Sequence, residues 1–157
     1  MRLRPIVAVV FAVCGLTLIT APADAGRHMS RSGTFADASS NTVSVQTVGD
    51  NTVIVLQNVI QWTGPINGTA QETLTVVAPP TGDASFYGVD VCSCTDQKGH
   101  TGVVTIALHG RDNGTTFHGR LRIAEAAGLA GLRGERGVFD GSDATPITGT
   151  YSLNTGH

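Results

Sequence analysis

Two acidic residues, Asp90 and Glu135, are the candidates for a catalytic or binding role in this chain. Asp90 lies within residues 86–94, and strand alternation would place it on one face with Phe86, Gly88, Cys92 and Cys94. If that face is enclosed, burial would raise the pKa of Asp90. Glu135 lies beside Arg133 in a glycine-rich stretch. A carboxyl group in an enclosed site could polarise or protonate a bound carbonyl or epoxide as a general acid. The alternative is that Asp90 and Glu135 are solvated, or hydrogen-bonded to turn backbone.

Cys92 and Cys94 are the second chemical feature, and they lie two positions apart. In a fully extended strand their Cα atoms would be near the ~6.8 Å upper limit for a disulfide, so a bridge would need strain or a bulge. A local disulfide or two buried thiols is the simplest interpretation, and a redox role has no Cys-x-x-Cys motif behind it. A metal site would need two further ligands. His109 falls on the face opposite Val104, Ile106 and Leu108, so we predict neither a metal nor a cofactor.

The amino terminus predicts export. Arg2 and Arg4 precede a mostly apolar run over residues 6–20, and Ala23-Asp24-Ala25 fits the small-residue rule for signal cleavage. We therefore expect a signal peptide at 1–25, a disordered leader at 26–32 and one domain at 33–154. The protein would be secreted, either outside the cell or into the periplasm or cell envelope, with no membrane association after cleavage. That compartment permits disulfides.

Composition narrows the class of partner and of fold. The formal net charge is −2 and charged residues make up 14% of the chain, with no basic patch. We therefore do not expect the protein to bind nucleic acid. Abundant Gly, Ser, Thr and Val suit strands and turns better than helices.

Alternation predicts the elements that must position these residues. Residues 52–63 alternate with Ile54, Leu56, Ile60 and Trp62 on one face and Asn58 among them. Asn67-Gly68 and Asn113-Gly114 are typical of type I′ hairpin turns. Separate short strands are expected at 33–36 and 42–47, and residues 124–127 are the one candidate for a helical turn.

Glycines at 128, 131, 134 and 137 argue against a helix, because each would lose about 1 kcal/mol relative to alanine. They predict a tight turn that enters a glycine-bearing strand, with one more strand after it. The whole pattern of eight or nine strands predicts an all-β fold, either an antiparallel sandwich or an antiparallel barrel. We favour a closed barrel, because closure removes the exposed edges of an open sheet.

Several short pieces together resemble a bacterial family of unknown function. They are Ser32-Gly33-Thr34-Phe35, Trp62-Thr63-Gly64, Gly68-Thr69-Ala70, residues 84–90, Gly131-Leu132-Arg133-Gly134-Glu135 and Tyr151-Ser152-Leu153. That family looks like the allene-oxide-cyclase type of small barrel, related in shape to dirigent proteins and calycins. The resemblance implies a closed barrel, often oligomeric, whose lumen takes a small molecule, and Glu135 matches the family's glutamate. The chain departs from the family at Ala107-Leu108, where members carry a polar Gln-His pair.

Three functions stay open at this point. The favoured one is a secreted barrel that binds a small, mostly apolar molecule in its lumen. Its predicted contact residues are Trp62, Phe86, Asp90, Cys92, Glu135 and Tyr151. The second is a cofactor-independent cyclase or isomerase that uses Asp90 or Glu135, although fold similarity does not transmit function. The third is a non-catalytic interaction protein, whose barrel presents a surface for a homo-oligomer.

Overall fold

The fold is an all-β barrel of eight strands, seen in a computed structural model that describes residues 30–154. The predicted signal peptide at 1–25 and leader residues 26–29 lie outside this range. The strands are β1 Ser30–Val48, β2 Asn51–Thr63, β3 Ile66–Ala78, β4 Ala84–Asp96, β5 Thr101–Asp112, β6 Thr116–Ala127, β7 Arg136–Ser142 and β8 Thr148–Asn154. One 3₁₀ turn, Ala130–Leu132, lies between β6 and β7. Between residues 30 and 154, no helix has the length and apolar character that crossing a membrane requires.

The strands form a simple up-and-down ring. Each strand pairs antiparallel with the next along the chain, and β8 pairs with the first half of β1 to close the barrel. The predicted closed antiparallel barrel is therefore confirmed, with eight strands. Successive connections lie at alternate ends of such a ring. The end with the β5–β6 and β7–β8 connections is called the cavity end below, and the end with the β6–β7 connection is called the closed end.

Alternation along the strands decides which side chains enter the barrel. In β4, Phe86, Asp90, Cys92 and Cys94 are buried and Gly88 is half-buried, whereas the alternate residues Tyr87, Val89, Val91 and Ser93 are exposed. The predicted inner face of this strand is confirmed. The same period of two holds in β6, where Leu121 and Ile123 are buried.

Inward aromatic rings lie against glycines of the neighbouring strand. A Cβ atom at Gly119 would be 2.5 Å from Cζ of Phe139, its register partner on β7. Glycine therefore leaves the space that the ring occupies. The same relationship holds for the register pairs Phe35 with Gly149, Phe86 with Gly110, Phe117 with Gly141, and Tyr151 with Gly33.

The first strand is longer than the sequence indicated. The two short strands expected at 33–36 and 42–47 are one strand, β1, with register shifts between Asp37 and Ser39 and between Thr42 and Ser44. Ser30–Ser32 belong to this strand and not to a disordered leader, because they pair with β8. Ser30–Ser32 are therefore part of the barrel.

Two local predictions were wrong. Asn67-Gly68 does not form a turn but lies inside β3, where it pairs with Thr95 and Cys94. The chain turns instead at Gly64, whose φ of +116° suits a residue without a Cβ. Residues 124–127 extend β6 and are not helical, since pairing with β5 continues to Ala127 after a bulge.

The glycine stretch behaves as predicted, as a turn that leads into a strand. Gly128 and Gly134 adopt φ values of +80° and +83° on either side of the 3₁₀ turn, and Gly137 lies in β7. Leu129 and Leu132 of this connection are almost fully buried in the core. The connection therefore packs apolar side chains into the closed end of the barrel.

Candidate functional site

A cavity of about 160 Å³ lies inside the barrel. It is lined by aromatic, aliphatic, acidic, and hydroxyl or amide side chains, and it reaches Asp112 and Asp143 at the cavity end. The lining residues are Phe35, Asp37, Ser40, Leu56, Asn58, Ile60, Trp62, Glu72, Leu74, Val76, Phe86, Asp90, Leu108, Asp112, Phe117, Leu121, Phe139, Asp143 and Ile147. A mostly apolar lining with a few polar groups is the usual composition of a small-molecule site.

Five aromatic rings line this cavity. The ring of Phe35 lies 5.5 Å from that of Trp62 and 6.1 Å from that of Phe117, measured between centroids. Phe139 and Phe86 continue the cluster at 6.0 Å from each other. The rings are tilted or edge-on to one another, which is the favoured geometry for aromatic pairs.

Two acidic residues face each other in the interior. Glu72 on β3 and Asp90 on β4 are directly opposite in the antiparallel register, and both side chains point inward. Trp62 Nε1 donates a hydrogen bond to Asp90 Oδ2 at 3.0 Å. The other oxygen, Asp90 Oδ1, is buried and has no hydrogen-bond partner among residues 30–154. Asp90 itself is 0% exposed, and a side-chain hydrogen bond joins its carboxyl group to that of Glu72 when the pair holds a proton.

A polar chain connects this pair to the surface. The Ser40 hydroxyl donates to Asn58 Oδ1 at 2.7 Å, and Asn58 Nδ2 donates to Glu72 Oε2. Ser40 is exposed on β1, whereas Asn58 and Glu72 are buried on β2 and β3. The amide is held between two partners, and Glu72 is thereby oriented beside Asp90.

Burial changes the acidity of both groups. It raises the pKa of Asp90 well above its ordinary value, and the neighbouring charge of Glu72 raises that pKa further. Burial also raises the pKa of Glu72, against the hydrogen bond from Asn58, which lowers it. Two carboxyl groups this close cannot both ionise freely, so the pair retains a proton to higher pH than isolated carboxyls would.

Further acidic groups lie toward the cavity end. Burial raises the pKa of Asp143 to about 6, and the hydrogen bond and charge of Asp112 act in the same direction. Burial also raises the pKa of Asp37, although a backbone hydrogen bond at Ser39 lowers it. The part of the chain that the structure describes contributes no lysine, arginine or histidine to the cavity lining.

Three of the six predicted contact residues line the cavity, and three do not. Trp62, Phe86 and Asp90 are brought together there. Cys92 and Tyr151 are buried in the core of the barrel, and Glu135 lies next to the closed-end connection. An inward-pointing side chain therefore does not always reach the cavity, because core side chains fill the lumen around Cys92 and Tyr151. The fully buried residues include Ile66, Val104, Ile106, Ile123 and Leu153.

The residues outside the cavity have structural partners. Glu135 forms an ion pair with Arg31 of β1 and does not interact with the exposed Arg133. The Ile66 amide donates to the Tyr151 hydroxyl at 3.1 Å, and this hydroxyl lies 3.2 Å from the Ile66 carbonyl oxygen. Both contacts join distant parts of the chain, which favours a role in stability.

Cys92 and Cys94 form a disulfide bond, with their Cα atoms 5.4 Å apart. The pairing of β4 with β3 and with β5 runs through both residues without a register shift. The bulge that spacing alone suggested is therefore not needed. Among residues 30–154, no group of three or more His, Cys, Asp or Glu side chains is arranged to hold a metal ion.

Sequence reasoning missed Asn58 and Glu72 as parts of the site. The available signal was a polar residue on an otherwise apolar alternating face: Asn58 between Leu56 and Ile60, and Glu72 between Ala70 and Leu74. A polar group at such a position requires a buried partner. Alternation within one strand does not identify that partner.

Fold and site together define a class: a small antiparallel β-barrel with an apolar cavity and a buried carboxyl pair. No family model matches the chain, and no curated protein matches it. The fold is similar to the crystal structure of a protein of unknown function from the DUF3224 family of Shewanella oneidensis. The TM-score is 0.59 at 15% sequence identity, covering 80% of this chain and 96% of that one. This likeness is one of fold, to a bacterial protein whose family is also of unknown function.

Proposed function

We propose that this protein is a secreted β-barrel that binds a small, mostly apolar molecule in its lumen. The observation that carries the proposal is the cavity of about 160 Å³, whose aromatic and aliphatic walls surround the unpartnered oxygen of Asp90. Apolar walls favour a ligand with hydrocarbon surface, and a single polar oxygen would orient it.

The volume limits the size of the enclosed part of the ligand. An engineered cavity of about 150 Å³ in another protein binds benzene. The enclosed part is therefore about the size of one six-membered ring with a short substituent. A longer molecule would extend past Asp112 and Asp143 at the cavity end.

A cavity-filling variant tests this proposal. Leu74→Phe adds volume to the cavity wall, whereas Val89→Phe adds the same kind of group to the outer face of β4, where Val89 is 43% exposed. Binding of toluene and benzyl alcohol is measured by ligand-observed NMR and native mass spectrometry. We expect wild type and Val89→Phe to bind and Leu74→Phe to lose binding. Absence of binding to wild type, or equal binding to both variants, would contradict the proposal.

A second candidate function is the cofactor-independent cyclase or isomerase of the allene-oxide-cyclase type. The favouring observation is that Asp90 has a raised pKa and a free oxygen inside an apolar cavity. Protonated Asp90 would give its proton to the oxygen of a bound epoxide as the C–O bond opens, and would regain a proton when the ring-closed or isomerised product loses one. The charge of Glu72 would keep Asp90 protonated before the step. We no longer propose Glu135 as the general acid, because it pairs with Arg31 and does not line the cavity. An Asp90→Asn variant that turned over a reactive epoxide as fast as wild type would exclude this function.

Self-association is a further proposal, favoured by apolar residues on the outer surface. Tyr87, Val89 and Val91 of β4 are 58%, 43% and 48% exposed, and Val103 lies beside them on β5. Val91→Lys would place a charge in this patch. Light scattering at high concentration is expected to show an oligomer for wild type and a monomer for Val91→Lys. A monomeric wild type would refute the proposal of self-association.

A further inference from the structure

The titratable side chains that line the cavity, among the described residues, are all acidic. Five acidic residues line the cavity, each from a different element. They are Asp37 of β1, Glu72 of β3, Asp90 of β4, Asp112 of β5 and Asp143 of the β7–β8 connection. The lining side chains from β2, β6 and β7 carry no titratable group, and β8 contributes no lining residue. Low-dielectric walls concentrate such a field inside the cavity, so a positively charged ligand is attracted and an anion is repelled.

A second observation points independently to a hydrogen-bond donor on the ligand. No N–H or O–H group of the other described residues donates to Asp90 Oδ1, and its neighbour Glu72 can share with Asp90 only the proton that the pair retains, whereas Oδ2 of the same carboxyl accepts from Trp62. A buried carboxylate oxygen without a donor is unfavourable, and more so when the group is charged. A ligand N–H group that replaces the shared proton would satisfy it.

The aromatic wall supplies a third element. Trp62 and the rings of Phe35, Phe86, Phe117 and Phe139 line the same cavity as the carboxyl pair. The faces of aromatic rings attract cations, with tryptophan the strongest, and the attraction grows when water is excluded. The walls thus accept both the hydrocarbon part and the charged group of an organic cation.

We propose that the ligand is an organic amine, bound as its ammonium cation, with the nitrogen on Asp90 beside Glu72 and the apolar part against the aromatic wall. This inference rests on the proposed ligand-binding function and specifies its ligand class. A neutral ligand that only accepts a hydrogen bond would use the one proton that the Asp90–Glu72 pair retains. It would leave the other carboxylates unneutralised, and so it fits this cavity less well than a cation.

Binding of a cation also has a proton linkage. In the empty barrel, the Asp90–Glu72 pair holds a proton above the ordinary carboxyl range, and the ammonium group takes the place of that proton. Affinity for the amine should therefore rise as the pH is raised, until the amine itself loses its charge. Affinity for a neutral probe of the same shape should not rise in this way.

Three probes of similar size separate the possibilities: benzylamine, benzyl alcohol and benzoate. Calorimetry and ligand-observed NMR at pH 8 are expected to show benzylamine binding about tenfold or more tighter than benzyl alcohol, with no benzoate binding. Asp90→Asn retains an acceptor for the Trp62 indole and should abolish the preference for the amine while benzyl alcohol still binds. Glu72→Gln should reduce the preference. Asp140→Asn, at an exposed position of β7, is the matched control and should retain it.

The outcomes distinguish this inference from the function on which it rests. Binding of benzyl alcohol without a preference for benzylamine, or a preference that persists in Asp90→Asn, overturns the amine proposal and leaves the ligand-binding proposal standing. Failure of every probe, toluene included, to bind the wild-type protein overturns both. If Asp90→Asn does not fold, the pH dependence of benzylamine affinity in the wild type decides, and a flat profile between pH 5 and pH 8 counts against the amine.

Discussion

The indole of Trp62 donates to one oxygen of Asp90 at 3.0 Å, and the other oxygen of that carboxyl has no partner in the described part of the chain. The hydrogen bond orients the carboxyl, because Trp62 is itself nearly fully buried among aromatic rings. Asp90 therefore presents a defined acceptor or acid to the cavity. Several measurable properties depend on this arrangement.

Stability should fall as pH rises above the ordinary range of an aspartic acid. In the unfolded chain Asp90 ionises near its ordinary pKa, whereas burial raises its native pKa, so the native state binds more protons between these values. Over that window the free energy of unfolding falls by about 1.4 kcal/mol per pH unit. Asp90→Asn should remove most of this slope and be more stable than wild type at pH 8. Urea unfolding from pH 4 to pH 8 measures it, and an unchanged slope would contradict the assignment.

Fluorescence should report the titration of Asp90 directly. Trp62 is the single tryptophan of the sequence, and its indole contacts the titrating carboxyl. We expect an emission change with a midpoint well above the ordinary pKa of aspartic acid, and no such change in Asp90→Asn. Glu72→Gln should lower the midpoint, since the charge of Glu72 helps to raise the pKa of Asp90. A midpoint that does not move in Glu72→Gln would show that the two carboxyls are uncoupled.

The disulfide should be inaccessible in the folded protein. Cys92 and Cys94 are 0% and 3% exposed, inside the barrel. Protein without the predicted signal peptide, and therefore without Cys14, should in its native state react with neither iodoacetamide nor mild reductant, whereas after denaturation and reduction it should take up two alkyl groups. Loop entropy for so short a crosslink is about 1.5 kcal/mol, so the double alanine variant should lose at least that much stability. Rapid reduction of the native protein would refute the interior position.

The Arg31–Glu135 pair should stabilise the barrel without affecting the cavity. Arg31→Met leaves buried Glu135 without its partner, and we expect a loss of roughly 2–3 kcal/mol, less than for a fully buried pair because Arg31 is 27% exposed. Arg120→Met, on the exposed face of β6, is the matched control and should have little effect. Ligand affinity should be unchanged in both variants. Loss of binding in Arg31→Met while the barrel remains folded would place Glu135 back in the site.

The glycines opposite the aromatic rings should tolerate no added methyl group. Gly119→Ala places a Cβ 2.4 Å from the backbone oxygen of His109 and 2.5 Å from Cζ of Phe139, so both the backbone and the ring must move. We expect a loss of about 1–3 kcal/mol in unfolding free energy. Gly131→Ala is the control, since a Cβ there has no atom within 4 Å outside its immediate chain neighbours. Equal stability of the two variants would show that ring packing does not depend on Gly119.

The sequence predicted the part of the site that depends only on alternation within β4. The alternation of residues 86–94 placed Phe86 and Asp90 on the inner face, and the structure has them there. The partners of Asp90 come from other strands, so the register between strands decides them: Glu72 lies opposite on β3, and Trp62 reaches it from β2. The sequence of residues 86–94 alone does not determine which residues of β2 and β3 lie next to Asp90.

Errors in the fold have the same physical origin. Asn67-Gly68 has strong local turn chemistry, but pairing with β4 extends through it and places the turn at Gly64. Ser30–Ser32 look like a polar leader, yet backbone pairing with β8 makes them strand. Local preferences of a fraction of a kcal/mol per residue are outweighed by ladder hydrogen bonds and side-chain burial.

By itself the sequence determined the all-β class and the inner face of each clearly alternating strand. These follow from a period of two, which each segment carries independently of its neighbours. Only the tertiary structure decided which inward residues share a cavity and which are packed in the core. That division separates Asp90 and Glu72 from Cys92, Glu135 and Tyr151, and it depends on strand register and on how side chains from all eight strands fill the lumen.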